Sequence, residues 1–197
     1  MMNRDVKRKE SFSGVGTVTL RTFKIGPDGK RYYEPFTKNN LIVQQGRAHL
    51  IDLLIGEGNK KKLTYIRWGN GGALAYPEGD PLNPLQVNDD DTDIGSFLLD
   101  KQLSAYQRIS PTEVQYVETL ICDEVNNDVN EAAMLFEDDV TKARSLFARI
   151  TFPTVRLQIQ YGTGIEIRWV FNFSKAEEIP IEYEESAIDT PAEDSEE

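Results

Sequence analysis

Ile165-Glu166-Ile167-Arg168-Trp169-Val170-Phe171-Asn172-Phe173 is the stretch that decides the fold. Every second residue from Ile165 to Phe173 is large and apolar, and Glu166, Arg168, Val170 and Asn172 stand between them. Successive side chains of a strand point to opposite faces, so this spacing predicts a half-buried β-strand with Trp169 at the middle of its buried face. One buried face requires a sheet to pack against. Upstream, Leu146, Ala148, Ile150 and Phe152 repeat the pattern, with Phe147, Arg149 and Thr151 on the other parity. Residues 129–136 (Val-Asn-Glu-Ala-Ala-Met-Leu-Phe) read as a short strand or a turn beside them.

Working outward, residues 15–25 alternate again and run into Gly26-Pro27-Asp28-Gly29, followed by a second strand-like run over 30–36. Pro presets one turn dihedral and Asp-Gly tolerates positive φ, so a hairpin is expected. Pro35 should end the pairing or sit on an edge. Residues 44–55 suit a helical stripe packed against a sheet, with Gly56 as a left-handed terminator. Residues 63–68 read as a strand broken by Gly69-Asn70-Gly71-Gly72, and 94–103 as a helical turn or short strand. Residues 113–123 form another strand, and Asn126-Asn127-Asp128 is turn sequence.

The expected organisation is a flexible N-terminus (1–10), an N-terminal β-hairpin (11–37), a β-sandwich core (38–174) with a long loop at 73–93, and an acidic tail (175–197). The expected fold class is mostly β: an antiparallel β-sandwich with one short α-helix and a disordered C-terminal tail. The loop carries Pro77, Gly79, Pro81 and Pro84 before Asp89-Asp90-Asp91-Thr92-Asp93, and loops of that length usually contact something. The tail is rich in Glu, with too little apolar surface to offset chain entropy, although Ile179, Ile181, Tyr183 and Ile188 could dock on a partner.

Charge is unevenly distributed. The chain has 22 basic and 33 acidic residues. Residues 177–197 hold ten of the acids and no base, so the body is close to neutral and the low isoelectric point describes the tail. Cys122 is the single cysteine, in an apolar run where a thiol behaves as a small hydrophobe, and a reducing compartment is expected. There is no run of about 18 apolar residues and no apolar stretch behind the basic N-terminus, so neither a membrane span nor a secretion signal is expected.

Candidate chemistry is sparse. His49 is the single histidine, set beside apolar residues of the helix, and a packing role fits it better than a catalytic triad. One His and one Cys do not make a zinc ligand set. Asp89, Asp91, Asp93 and Asp100 have partial EF-hand spacing, but the sixth position is Ile94 and the twelfth is Asp100 rather than Glu. A solvated acidic loop is the plainer expectation. Gly69-Asn70-Gly71-Gly72 lacks the Lys-Ser/Thr of a phosphate loop and reads as a turn. The basic clusters (Arg4, Lys7, Arg8, Lys9; Lys60, Lys61, Lys62) read as solvated surface. Tyr32, Tyr33, Tyr65, Trp68 and Tyr76 are numerous enough for a glycan platform, but most lie in strands where packing is the default. No catalytic, cofactor-binding or metal-binding residue is assigned and no cofactor is expected.

A family resemblance rests on six segments in order. They are Lys38-Asn39-Asn40-Leu41-Ile42-Val43-Gln44-Gln45-Gly46-Arg47-Ala48-His49-Leu50, then Ile66-Arg67-Trp68-Gly69-Asn70-Gly71-Gly72, then Asp91-Thr92-Asp93 leading to Leu99. Val129 to Phe136, Leu146 to Pro153 and Ile165 to Phe171 follow. This series resembles a small virion structural protein family of tailed bacteriophages, of the tail-fibre or baseplate-associated type, over roughly residues 36–173. The enlarged loop at 73–93, the opening hairpin and the acidic tail depart from that family. The resemblance implies a non-enzymatic structural component of the tail, baseplate, collar or fibre-attachment region, a homo-oligomer bound to other phage virion proteins. It implies assembly in the bacterial host cytoplasm and residence in the virion, with no nucleic-acid or membrane partner. The alternative is a receptor- or glycan-binding module at a tail fibre, with Tyr76 and the 73–93 loop as its contact surface. A third reading, a cell-envelope hydrolase, would need only two suitably spaced carboxylates.

Overall fold

The structure is a computed structural model that describes residues 15–56, 61–73 and 83–173. The expected flexible N-terminus (1–10), the acidic tail (175–197) and residues 74–82 of the long loop lie outside them. In chain order the elements are β1 (Val15–Ile25), β2 (Arg31–Ile42), α1 (Gln44–Ile55), β3 (Lys61–Gly69), β4 (Phe97–Gln102) and β5 (Tyr106–Ser110), then β6 (Glu113–Ile121), β7 (Asp128–Asp138), β8 (Arg144–Arg156) and β9 (Thr163–Asn172).

The strands form one antiparallel sheet in the order β4-β3-β7-β8-β2-β1-β9-β6-β5. The sheet curls, because a single buried core draws on both of its halves: Leu20, Ile167 and Trp169 from one, Trp68, Met134 and Ile150 from the other. The halves therefore face each other as the layers of a sandwich, as the sequence predicts. The front layer is β1, β9, β6 and β5, and the back layer is β4, β3, β7 and β8. β2 crosses between them: it pairs with β1 from Asn40 to Arg31, but with β8 only at Leu41 and Ile42. At the opposite margins Lys101 of β4 draws the layers together, donating to the carbonyl of Thr119 at 2.5 Å and lying 2.8 Å from Glu124 and 3.3 Å from Glu118.

The hairpin turn forms as expected, with Gly29 at φ 73° and Gly26 N–H donating to the Lys30 carbonyl at 2.9 Å. Pro35 lies on the stretch of β2 that has no second strand partner, so no ladder bond is lost on that side. The hairpin is continuous with the rest of the sheet, since β1 pairs along its length with β9. β9 keeps its expected faces: Ile165, Ile167, Trp169 and Phe171 are buried, and Phe173, just beyond the strand, is partly buried.

Several expectations change. Residues 129–136 belong to an eleven-residue strand at the middle of the back layer, not to a short strand or turn. β8 is buried on both faces from Leu146 to Phe152, and its alternation breaks at Phe147. The register slips between Met134 and Leu135, which pair with Ala148 and Leu146, so Phe147 is the extra residue of a bulge. Leu146 consequently joins a small outer cluster with Val43, Ala133 and Leu135, while Phe147 turns into the main core. The 94–103 stretch contains a strand, and β5 was not foreseen, because Tyr-Gln-Arg-Ile-Ser has no buried face to leave an apolar period.

α1 has the expected ends, with Gly56 left-handed at φ 74°, but it docks by a different face. Its buried residues are Gly46 and His49, not an apolar stripe. A Cβ on Gly46 would run into the Phe147 carbonyl, so glycine is what lets the helix start close on the bulge. His49 packs edge-on to Phe136 at 4.3 Å. Ile51, Leu53, Leu54 and Ile55 are left exposed.

Candidate functional site

The acidic loop is solvent-facing, as expected, and is also pinned: Asp89 and Asp93 stay about half exposed while each holds an arginine. Asp89 receives both terminal nitrogens of Arg47 on α1, at 2.8 and 2.6 Å. Asp91 receives Arg149 of β8 at 2.7 Å, and Asp93 receives Arg67 of β3 at 2.8 Å. Asp100 holds Arg67 at 2.7 Å and Arg144 at 2.6 Å. The hydrogen bond from Arg47 lowers the Asp89 pKa below the ordinary carboxylate value. For Asp100, burial pushes upward, but the bonds from Arg67 and Arg144 outweigh it and the value is lowered. The alternation that resembles a calcium loop thus serves arginine pairing. Among the described residues no group of three His, Cys, Asp or Glu is placed to hold a metal.

At the centre of this region lies Glu131, which is fully buried. It accepts hydrogen bonds from the backbone N–H groups of Gly71 (2.7 Å), Ser96 (2.9 Å) and Gly95 (3.0 Å), and from Arg149 at 2.6 Å. Asn130 accepts from Gly72 N–H at 2.6 Å. A buried carboxylate is tolerable only with this degree of satisfaction. The cluster joins the glycine turn after β3, the loop before β4, and strands β7 and β8. The glycine run uses its N–H groups on Glu131 and Asn130, which is a structural use and not a phosphate cradle. Sequence reasoning passed over Glu131 and Arg149. The available signal was a charged residue set among the apolar residues of 129–136 and of 146–152.

The other candidates fall apart in space. Trp68 is buried in the core, and Tyr65 lies under Arg144, whose guanidinium is 3.6 Å from its ring centre. Tyr76 lies outside the described residues. Lys62 is exposed beside Asp139 at 3.6 Å. Tyr32 and Tyr33 are exposed on the hairpin.

These two tyrosines border a cavity of about 450 Å³ where β2 and β8 diverge. Leu20, Phe152 and Ile165 form its floor, and Lys24, Tyr32 and Arg156 belong to its wall. Its lining contains these two cations and no carboxylate. Arg156 is bidentate to Asp128 of β7, at 2.7 and 2.9 Å, and that bond lowers the Asp128 pKa. Lys24 makes no ion pair among the described residues. An apolar floor under an unneutralised ammonium suits an apolar group carrying a carboxylate. No protein-family model, no curated protein and no solved structure matches this chain.

Proposed function

We propose that this chain is a non-enzymatic structural subunit of a tailed-phage particle, making contacts with copies of itself and with other virion proteins in the tail, baseplate, collar or fibre-attachment region. The particle context rests on the six-segment resemblance. The assembly role rests on α1. Ile51, Leu53, Leu54 and Ile55 are 57%, 46%, 86% and 59% exposed, a concentration of large apolar side chains within one and a half turns. Exposed apolar patches of this kind mark contact surfaces. The buried Glu131 and Arg149 act within this reading as fasteners that hold the loop to the back layer, so that a rigid face is presented to neighbours. Cryo-EM of particles assembled without the chain is expected to lack density in the tail or neck. A tail with full density would overturn the proposal.

A second reading, a receptor- or glycan-binding module, draws on exposed Tyr32 and Tyr33 beside the cavity. Aromatic faces with polar tips suit sugar rings. Replacing both tyrosines by alanine should then abolish adsorption to the host while particles assemble normally. Unchanged adsorption would exclude it.

A further inference from the structure

Gly69-Asn70-Gly71-Gly72 contains the chain's single Asn-Gly pair. In such a pair the backbone nitrogen that follows the asparagine can attack the side-chain amide, because glycine carries no side chain to hinder it. Packing fixes the glycine here: a Cβ on Gly71 would run into the backbone of Gly95 and Ser96. Asn70 is half-buried and its N–H donates to the Ser96 carbonyl at 3.0 Å, but its carboxamide makes no hydrogen bond among the described residues. The electrophile is therefore free. The nucleophile is not, since Gly71 N–H donates to Glu131 Oε1 at 2.7 Å.

That bond restrains the nitrogen in two ways. Attack requires Gly71 to lose its amide proton, and the negative charge forming beside the Glu131 carboxylate is opposed by like-charge repulsion, which a buried setting strengthens. Glu131 is also poorly placed to carry the proton away, because its Oε1 already accepts from Gly71 and Ser96 and its Oε2 from Gly95 and Arg149. We infer that Asn70-Gly71 is a deamidation site that the folded chain holds unreactive through Glu131, and that it reacts only when the fastener joining the glycine turn, the loop before β4 and the back layer opens.

The reaction needs only these atoms and water. Gly71 N bonds to Asn70 Cγ, the Cγ–Nδ2 bond breaks, and the amide proton leaves with that nitrogen as ammonia. Water then opens the cyclic imide at either carbonyl, leaving aspartate or, where the main chain is now routed through the side-chain carbon, isoaspartate. The isoaspartate form lengthens the main chain between residues 70 and 71. Gly71 and Gly72 are tied to Glu131 and Asn130 at 2.7 and 2.6 Å, and Gly95 fills the space beside Gly71, so the lengthened chain has no room to restore both bonds. Opening of the loop is thereby recorded in covalent form and is not undone by reclosing.

The inference stands on the buried cluster and does not depend on the assembly role. The intact natural chain is held in mildly alkaline buffer, folded or in urea, and the acid products at Asn70 are followed by peptide mass spectrometry. Folding should slow their appearance by about tenfold or more, and by a factor comparable to its slowing of hydrogen exchange at the Gly71 amide, since both reactions need that N–H released. Equal rates in the folded and unfolded chain overturn the inference, and so does an Asn70 that stays intact while the Gly71 amide exchanges freely. Glu131→Gln removes the charge and keeps the shape, and should raise the rate at Asn70 severalfold in the folded chain. An unchanged rate in a variant with natural near-ultraviolet circular dichroism overturns the part assigned to Glu131. Should that variant not fold, the comparison of Gly71 exchange with Asn70 reaction in the natural chain decides. Chains carrying isoaspartate at position 70, separated after ageing, should have lost exchange protection at Gly71, Gly95 and Ser96. Protection retained there overturns the one-way step.

Discussion

β9 and β8 sit in opposite layers and bury themselves by different means. β9 is the simpler strand: its inner side chains from Ile165 to Phe171 enter the core, and Glu166, Arg168 and Val170 on the outer face stay partly exposed. β8 is buried on both faces from Leu146 to Phe152. The back layer has a second cover, made of α1, the small cluster of Val43, Ala133, Leu135 and Leu146, and the loop over residues 83–96. Thr151 donates to the Leu85 carbonyl at 2.5 Å, and Arg149 reaches both Asp91 and Glu131. A strand with one open face can leave its charges in water. A strand covered on both must pair them, and Glu131 with Arg149 is how this sheet does so.

That contrast can be broken most severely in the front layer. Trp169→Asp places an unpaired charge on the buried face of β9 and should cost more than about 5 kcal/mol, enough to leave the protein insoluble. Chemical denaturation showing stability within about 1 kcal/mol of the natural chain would mean the faces of β9 are reversed. In the back layer, Glu131→Ala removes the partner of a buried guanidinium and of three backbone donors, at an expected cost of about 3–5 kcal/mol. Amide exchange should then quicken first at Gly71, Gly95 and Ser96. Uniform quickening over the whole sheet would show that the cluster is not a local fastener.

Acid should separate the layers more gently. Asp89, Asp100 and Asp128 all have pKa values lowered in the folded chain, chiefly through hydrogen bonds from Arg47, from Arg67 and Arg144, and from Arg156; for Asp100 these bonds act against burial. The unfolded chain therefore binds more protons than the folded one near the ordinary carboxylate value of 3.8. Their stabilisation is complete above that value and fades as pH falls through the lower folded values. Exchange measured on descending pH below about 4 should rise at residues 83–95 before it rises at 165–171. Simultaneous loss would show that the loop pairs contribute nothing local. The smallest effect belongs to Glu166→Ala on the open front face, where the carboxylate accepts a hydrogen bond from the Tyr33 hydroxyl at 3.3 Å. Its expected change is within about 0.5 kcal/mol, and a loss as large as that of Glu131→Ala would erase the distinction between the two faces.

The hairpin, β9 and the ends of α1 were legible in the sequence. The period of two in β9, the Gly-Pro-Asp-Gly turn and the ends of α1 are local properties of side-chain spacing and dihedral preference, and each appears where the pattern puts it. The back layer was not legible to the same extent. Alternation over 146–152 reports a period, and a single bulged residue at Phe147 is enough to exchange the faces of everything before it. The apolar residues of α1 announced a helix but not which side would dock, because that depended on the close approach of Gly46 to a carbonyl a hundred residues later.

The acidic loop draws the boundary most clearly. The sequence by itself determined that Asp89, Asp91 and Asp93 stand at alternate positions of a loop that regular structure avoids. Only the tertiary structure decided that they meet Arg47, Arg149 and Arg67, which are 42, 58 and 26 residues away. Periodicity records what each residue prefers along its own strand or turn. Ion pairing and the choice of a covered face are settled by which strands the curled sheet brings side by side.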